Sequence, residues 1–166
     1  MMTFVWVFIR LAILVLILIP VCVTDIRERR IANAWCVALL VAGAALAVLP
    51  ALPGPLRSGT DLRLLLTSCG TGFLCSSGTG LCCRAVAKEG FGLGDVKLLA
   101  GLGAFLGLWL FLRAMALTGV LTLAAAVWML LIRRAKRTDT LPFAPFLAAG
   151  AVLSQAMELW AKGGAA

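Results

Sequence analysis

The chain has 166 residues, 63% of them apolar and only 13% charged, with a formal net charge of +8. A soluble globule of this size needs more polar surface than that to clothe its core, so the composition points to a protein with the bilayer as its solvent. Histidine and tyrosine are absent, which removes Ser-His-Asp and Cys-His catalysis and every zinc protease of the H-E-x-x-H type.

The apolar residues come in runs that predict an all-α, polytopic membrane protein of six spans, forming one transmembrane domain over residues 1–166. Each run is judged against the roughly 20 helical residues needed to cross the hydrocarbon layer. The first, Phe4 to Thr24, has a single early charge at Arg10 and no small-x-small cleavage site after it. It reads as a retained span and not as a signal peptide, and Ile19-Pro20-Val21-Cys22 is a poor match to a lipoprotein box. The second, Trp35 to Leu52, gives way to the turn-forming Pro50-Ala51-Leu52-Pro53-Gly54-Pro55. The third, Leu62 to Ala87, is rich in Gly, Ser, Thr and Cys, a composition suited to close helix packing in lipid. The fourth, Leu98 to about Leu110, runs into the fifth, Ala114 to Ile132. At 1.5 Å per residue the two together, about 35 residues, are too long for one span, which predicts a tight turn near Arg113. Phe143 to Trp160 forms the sixth.

Cations set the orientation. Arg27, Arg29, Arg30, Arg84, Lys88, Lys97, Arg133, Arg134, Lys136 and Arg137 fall in one set of loops, against Arg57, Arg63, Arg113 and Lys162 in the other. By the positive-inside rule the first set is cytoplasmic, which puts both termini outside. Topology and attraction to anionic headgroups account for the basic charge, and no nucleic-acid partner is implied. The six cysteines sit mostly inside apolar runs without C-x-x-C spacing, so they read as packing residues; no metal-ligand cluster is visible.

Proton-transfer chemistry is left to carboxylates and lysines, since the serines lie near no lysine in sequence. Of the seven acidic residues, Glu28, Asp61, Glu89, Asp139 and Glu158 fall in loops or near span ends and read as solvated charges. Asp25 and Asp95 stand apart. Asp25 follows the apolar run Ile13 to Val23, and Asp95 lies within Gly90-Phe91-Gly92-Leu93-Gly94-Asp95-Val96-Lys97. Both are expected at the cytoplasmic face. Two carboxylates brought together there can share a proton, one acting as acid and the other as base toward a water attacking a peptide carbonyl. Glycines beside Asp95 would let an extended substrate backbone approach. Plainer readings exist for each: Asp95 as a helix cap and Asp25 as part of a topogenic loop with Arg27, Arg29 and Arg30. A small transporter or channel subunit using the pair as a proton relay is the alternative from another class, and a structural assembly protein a third.

Gly92-Leu93-Gly94-Asp95-Val96-Lys97-Leu98 resembles the G-x-G-D-x-K-L motif of the type IV prepilin leader peptidases. Asp25-Ile26-Arg27-Glu28-Arg29-Arg30-Ile31-Ala32-Asn33 resembles their first motif, and Leu141-Pro142-Phe143-Ala144-Pro145-Phe146 resembles the Pro-Phe-Gly-Pro segment opening their last span. Ala32 stands where that family usually has proline. The resemblance implies an aspartic endopeptidase of the bacterial inner membrane that removes leaders from prepilin-like precursors. Asp25 and Asp95 would be its catalytic pair, with Gly92, Gly94, Lys97 and Asn33 as supporting positions. No cofactor or metal is implied, and the oligomeric state is left open. The larger bifunctional members carry a cysteine-bearing insertion after the first span; here that stretch is short, which implies a peptidase without methyltransferase activity, similar to the short enzymes of tight-adherence (Flp) pili. Asp25 lies at the partially negative end of its helix and Asp95 at the partially positive end of its own, which assigns Asp95 as the base and Asp25 as the acid.

Overall fold

The computed structural model describes residues 2–28, 31–48, 59–87, 92–132 and 143–163. Among them every regular element is an α-helix: α1 Met2–Glu28, α2 Asn33–Val48, α3 Gly59–Ala87, α4 Leu93–Leu106, α5 Leu108–Ile132 and α6 Phe143–Gly163. Arg29, Arg30, Arg57, Lys88 and the four cations between α5 and α6 lie outside the described residues, as does the Pro-rich turn after α2.

Two stretches, Val5–Glu28 and Leu108–Leu131, are long and apolar enough to cross a membrane. A core helix of a soluble protein passes the same test but is mostly buried, whereas 28% and 11% of these two windows are buried inside the molecule. Pro20 lies within α1, and the Thr24 hydroxyl sits 3.0 Å from the carbonyls of both Pro20 and Val21. The glycine- and serine-rich third run forms one continuous helix.

The break between α4 and α5 falls at Gly107 and not near Arg113. Gly107 has φ 75° and ψ 172°, a positive-φ backbone essentially confined to glycine. Its N–H donates to the Gly103 carbonyl at 2.9 Å, closing α4, and its carbonyl accepts from Phe111 N–H at 3.0 Å, opening α5. Arg113 therefore lies inside α5, where its exposed guanidinium pairs with Glu158 of α6 at 3.4 Å. The fourth helix also begins earlier than the apolar run, at Leu93, because the Gly92 carbonyl already accepts from Val96 N–H.

α4 is the central element, with Val96, Leu98, Leu99, Leu102 and Phe105 all buried. It packs chiefly on α2 and α3, while α6 packs on α1 and α5. The core joins Leu14, Leu18 and Val21 of α1, Leu39 of α2, Phe111 of α5 and Leu147 of α6 around it. Close approach is bought with small residues: a side chain at Gly103 would strike Ser76 and the Gly72 carbonyl of α3, and one at Gly150 of α6 would strike Thr118 of α5.

Candidate active site

The residues singled out in the sequence gather at one end of the bundle. There the C-terminal end of α1 meets the N-terminal ends of α6, α4 and α2, and the last turns of α3 pass alongside through Gly80, which faces Val96.

Asp25 is the buried member, 9% exposed. It lies in the last turns of α1, and its Oδ2 accepts the backbone N–H of Ala144 at 3.1 Å. Ala144 is the second residue of α6, and the first turn of a helix has N–H groups without intrahelical partners. Asp25 supplies one of them with an acceptor from another helix. Cys22, one turn back on α1, approaches the carbonyl of the same residue, with Sγ 3.8 Å from it. The sequence marked Pro142-Phe143-Ala144-Pro145 as the start of the last helix, but not that its N–H would reach Asp25.

Asp95 is the third residue of α4, ahead of the apolar run that begins at Leu98, and is half-buried. Its Oδ2 accepts the N–H of Gly92 at 3.2 Å, folding the carboxylate back over the start of its own helix. This is one half of a reciprocal capping arrangement; glycine has no side chain for the other. The cap reading of Asp95 and the catalytic one are thus both compatible with its position.

Burial pushes the Asp95 carboxyl above its ordinary value, opposed by the Gly92 N–H and reinforced by the negative charge of Asp25. That direction is opposite to the one the helix end alone demands. Loss of water outweighs the favourable dipole and hydrogen bond, so the dipole-based choice of Asp95 as base loses its footing. The same interaction puts the two carboxylates within electrostatic reach of each other although they come from different helices.

The supporting positions are also brought in. Lys97 Nζ of α4 donates to Asn33 Oδ1, at the first residue of α2, at 3.0 Å. The glycines divide. Gly92 is exposed, with Asp95 Oδ2 the nearest atom to the place a side chain would occupy, which suits an open approach to the carboxylate. Gly94 instead packs on Ile31, whose Cβ would lie 3.2 Å from an added Cβ. Ile31 was not singled out beforehand as part of the site. Among the described residues no group of three His, Cys, Asp or Glu side chains is arranged to hold a metal ion.

The pattern that defines the type IV leader peptidase family matches residues 12–153, a stretch that includes both aspartates and the start of α6. The chain belongs to this family. Over 64 residues it is 45% identical to leader peptidase HopD of Escherichia coli, covering 37% of this chain and 41% of that one. Over 61 residues it is 38% identical to the prepilin leader peptidase/N-methyltransferase of Aeromonas hydrophila, covering 37% of this chain and 21% of that one, and equally similar to that of Aeromonas salmonicida. The matched stretches thus span less than half the length of these relatives. No solved structure matches the chain. Family membership agrees with the resemblance carried by the motifs around Asp25 and Asp95.

Proposed function

We propose that this protein is a membrane-embedded aspartic endopeptidase that removes leader peptides from prepilin-like precursors at the cytoplasmic face of the bacterial inner membrane. The observation that carries this is the position of Asp25 and Asp95, from α1 and α4, at one end of the bundle, near enough for the charge of Asp25 to bear on Asp95. Membership in the leader peptidase family and the names of the similar proteins support it.

Six spans with both termini outside are part of the proposal. The exterior supports it: Trp109, 76% exposed, and Trp160, 83% exposed, lie near the Arg113–Glu158 pair, at the end opposite the aspartates. Aromatic rings favour that interfacial level. Arg27, Arg84 and Lys97 lie toward the aspartate end, as a cytoplasmic face requires. At about 21 Å, α4 is shorter than the hydrocarbon layer and needs its neighbours to complete the crossing.

In the mechanism Asp95, whose burial favours the protonated form, carries the proton shared by the pair, and Asp25 is the base. Asp25 takes a proton from water as its oxygen attacks the scissile carbonyl carbon; Asp95 gives its proton to the carbonyl oxygen. Collapse of the tetrahedral diol breaks the C–N bond: the proton on Asp25 goes to the departing amine, and a diol hydroxyl returns its proton to Asp95 as the C=O bond re-forms. This chemistry requires neither metal nor cofactor. Few residues lie between Asp25 and the start of α2 at Asn33, which supports a short, Flp-type enzyme without methyltransferase activity. A proton relay would ask for carboxylates staggered along the bundle, and these two share an end.

The test is cleavage of a co-expressed Flp-type precursor by wild type, Asp25→Ala and Asp95→Ala, with membrane abundance checked. Loss in both variants at normal abundance is expected; cleavage surviving either change overturns the proposal.

A further inference from the structure

A groove of about 320 Å³ lies between α2 and α3, floored by α4. Its walls are apolar and include Val37 and Leu40 of α2, Phe73 of α3 and Ala100 of α4; Asn33 and Lys97 stand at one end. Val37, Leu40 and Phe73 are themselves exposed, so the groove opens outward, away from the core. Lys97 is exposed too, and its hydrogen-bond partner, the Asn33 amide, is neutral, so that bond leaves the ammonium charge uncompensated. Two positions along a helix correspond to about 200° of rotation, which puts Lys97 and Asp95 on opposite sides of α4. The groove thus opens on a different side of α4 from Asp95, although it ends at the Lys97–Asn33 contact beside the aspartate pair.

We propose that this groove is a binding site for an anionic phospholipid of the cytoplasmic leaflet, with one acyl chain along α2 and the phosphate on Lys97 and the Asn33 amide. The proposal rests on the membrane placement given above, not on the peptidase chemistry. An outward-facing apolar groove in a bilayer takes up hydrocarbon, and a cation at its headgroup end adds selection for negative charge. The order of groups is right for a lipid: a cation and an amide at the helix start, then about 10 Å of apolar wall from Asn33 to Leu40. The cation at the groove's end selects a negatively charged group, which a phospholipid supplies, so the observations favour lipid over substrate.

The test is native mass spectrometry of the purified full chain in detergent, titrated with phosphatidylglycerol and with phosphatidylcholine of the same acyl chains. Wild type is expected to retain phosphatidylglycerol several-fold better. Lys97→Gln should bind the two equally, and Lys97→Arg should keep the preference. Ala100→Leu and Leu40→Trp, two independent fillings of the groove checked by circular dichroism, should weaken both lipids several-fold. Inorganic phosphate should not displace the lipid. An Asp25→Asn, Asp95→Asn double variant should keep the preference, so the lipid site and the peptidase reading fail separately. A preference that survives Lys97→Gln, binding indifferent to both fillings, displacement by inorganic phosphate, or a photocrosslinker at Val37 that captures a co-expressed precursor instead of lipid would each overturn the proposal.

Discussion

The backbone N–H of Ala144 donates to the Asp25 carboxylate at 3.1 Å, so an aspartate in the last turn of α1 also caps the start of α6. On the proposed mechanism a structural and a chemical duty fall on one side chain, and substitutions can separate them. Asp25→Asn keeps an oxygen acceptor for Ala144 but loses the ability to take a proton from water. It is expected to abolish precursor cleavage with a melting temperature near that of wild type. Asp25→Ala removes the acceptor as well and should cost about 1 kcal/mol more, the usual worth of a helix cap. Thermal unfolding in detergent beside a cleavage assay checks both, and an Asp25→Asn protein that still cleaves would refute the role of Asp25 as base.

Asp95 makes a prediction about pH. Because burial raises its carboxyl, the folded protein holds this proton more tightly than the unfolded chain, whose ordinary value is 3.8. The contribution of Asp95 to stability is thus fully present below that value and is lost as pH rises through the folded one. Asp95→Asn should flatten this part of the stability profile and remain cleavage-negative. Followed by carbon-13 NMR, the Asp95 carboxyl should titrate above the ordinary aspartate range and move down in Asp25→Asn, which deletes the neighbouring charge. A titration at or below 3.8 would sink the assignment of Asp95 as proton carrier.

The hydrogen bond from Lys97 to Asn33 joins α4 to the start of α2. Both groups are exposed, so its worth is modest, roughly 0.5–1 kcal/mol. Asn33→Ala and Lys97→Met should show a coupling of that size in a double-mutant cycle, and the double variant should be little worse than the poorer single one. Full additivity would mean that the bond contributes nothing measurable.

Local pattern made the helices and the position of Asp95 legible: apolar runs mark helices, and G-x-G-D places an acidic residue in a first turn. The α4–α5 boundary lies at Gly107 and not near Arg113 because a uniformly apolar run carries no periodic signal, and the one charge in it marks no turn. On a helix surface a charge needs only a partner, which Glu158 provides, whereas a positive-φ glycine ends the helix. The Asp25–Ala144 and Lys97–Asn33 contacts were not legible, because each joins segments far apart in sequence. The direction at Asp95 was missed for a related reason: a helix end can be read locally, but burial is a property of the assembled bundle.

Glycines of α3 and α4 supply a packing prediction with its own control. Gly72 and Gly103 face each other across the α3–α4 interface, and a methyl group on either would strike the other helix's backbone. Backbone cannot swing aside as a side chain can, so the helices must separate. Gly72→Ala and Gly103→Ala are each expected to cost about 1–3 kcal/mol, the range for overpacking. By tilting α4 they should also lower cleavage without touching either carboxylate. Gly70 and Gly78, on the same α3, have nothing within 4 Å of an added Cβ. Alanine there should be neutral or gain up to about 1 kcal/mol from helix propensity. Melting temperatures of the four variants in one detergent decide the matter: equal losses at all four would show that α3 is sensitive to composition alone and that the Gly72–Gly103 contact does not hold α4 in place.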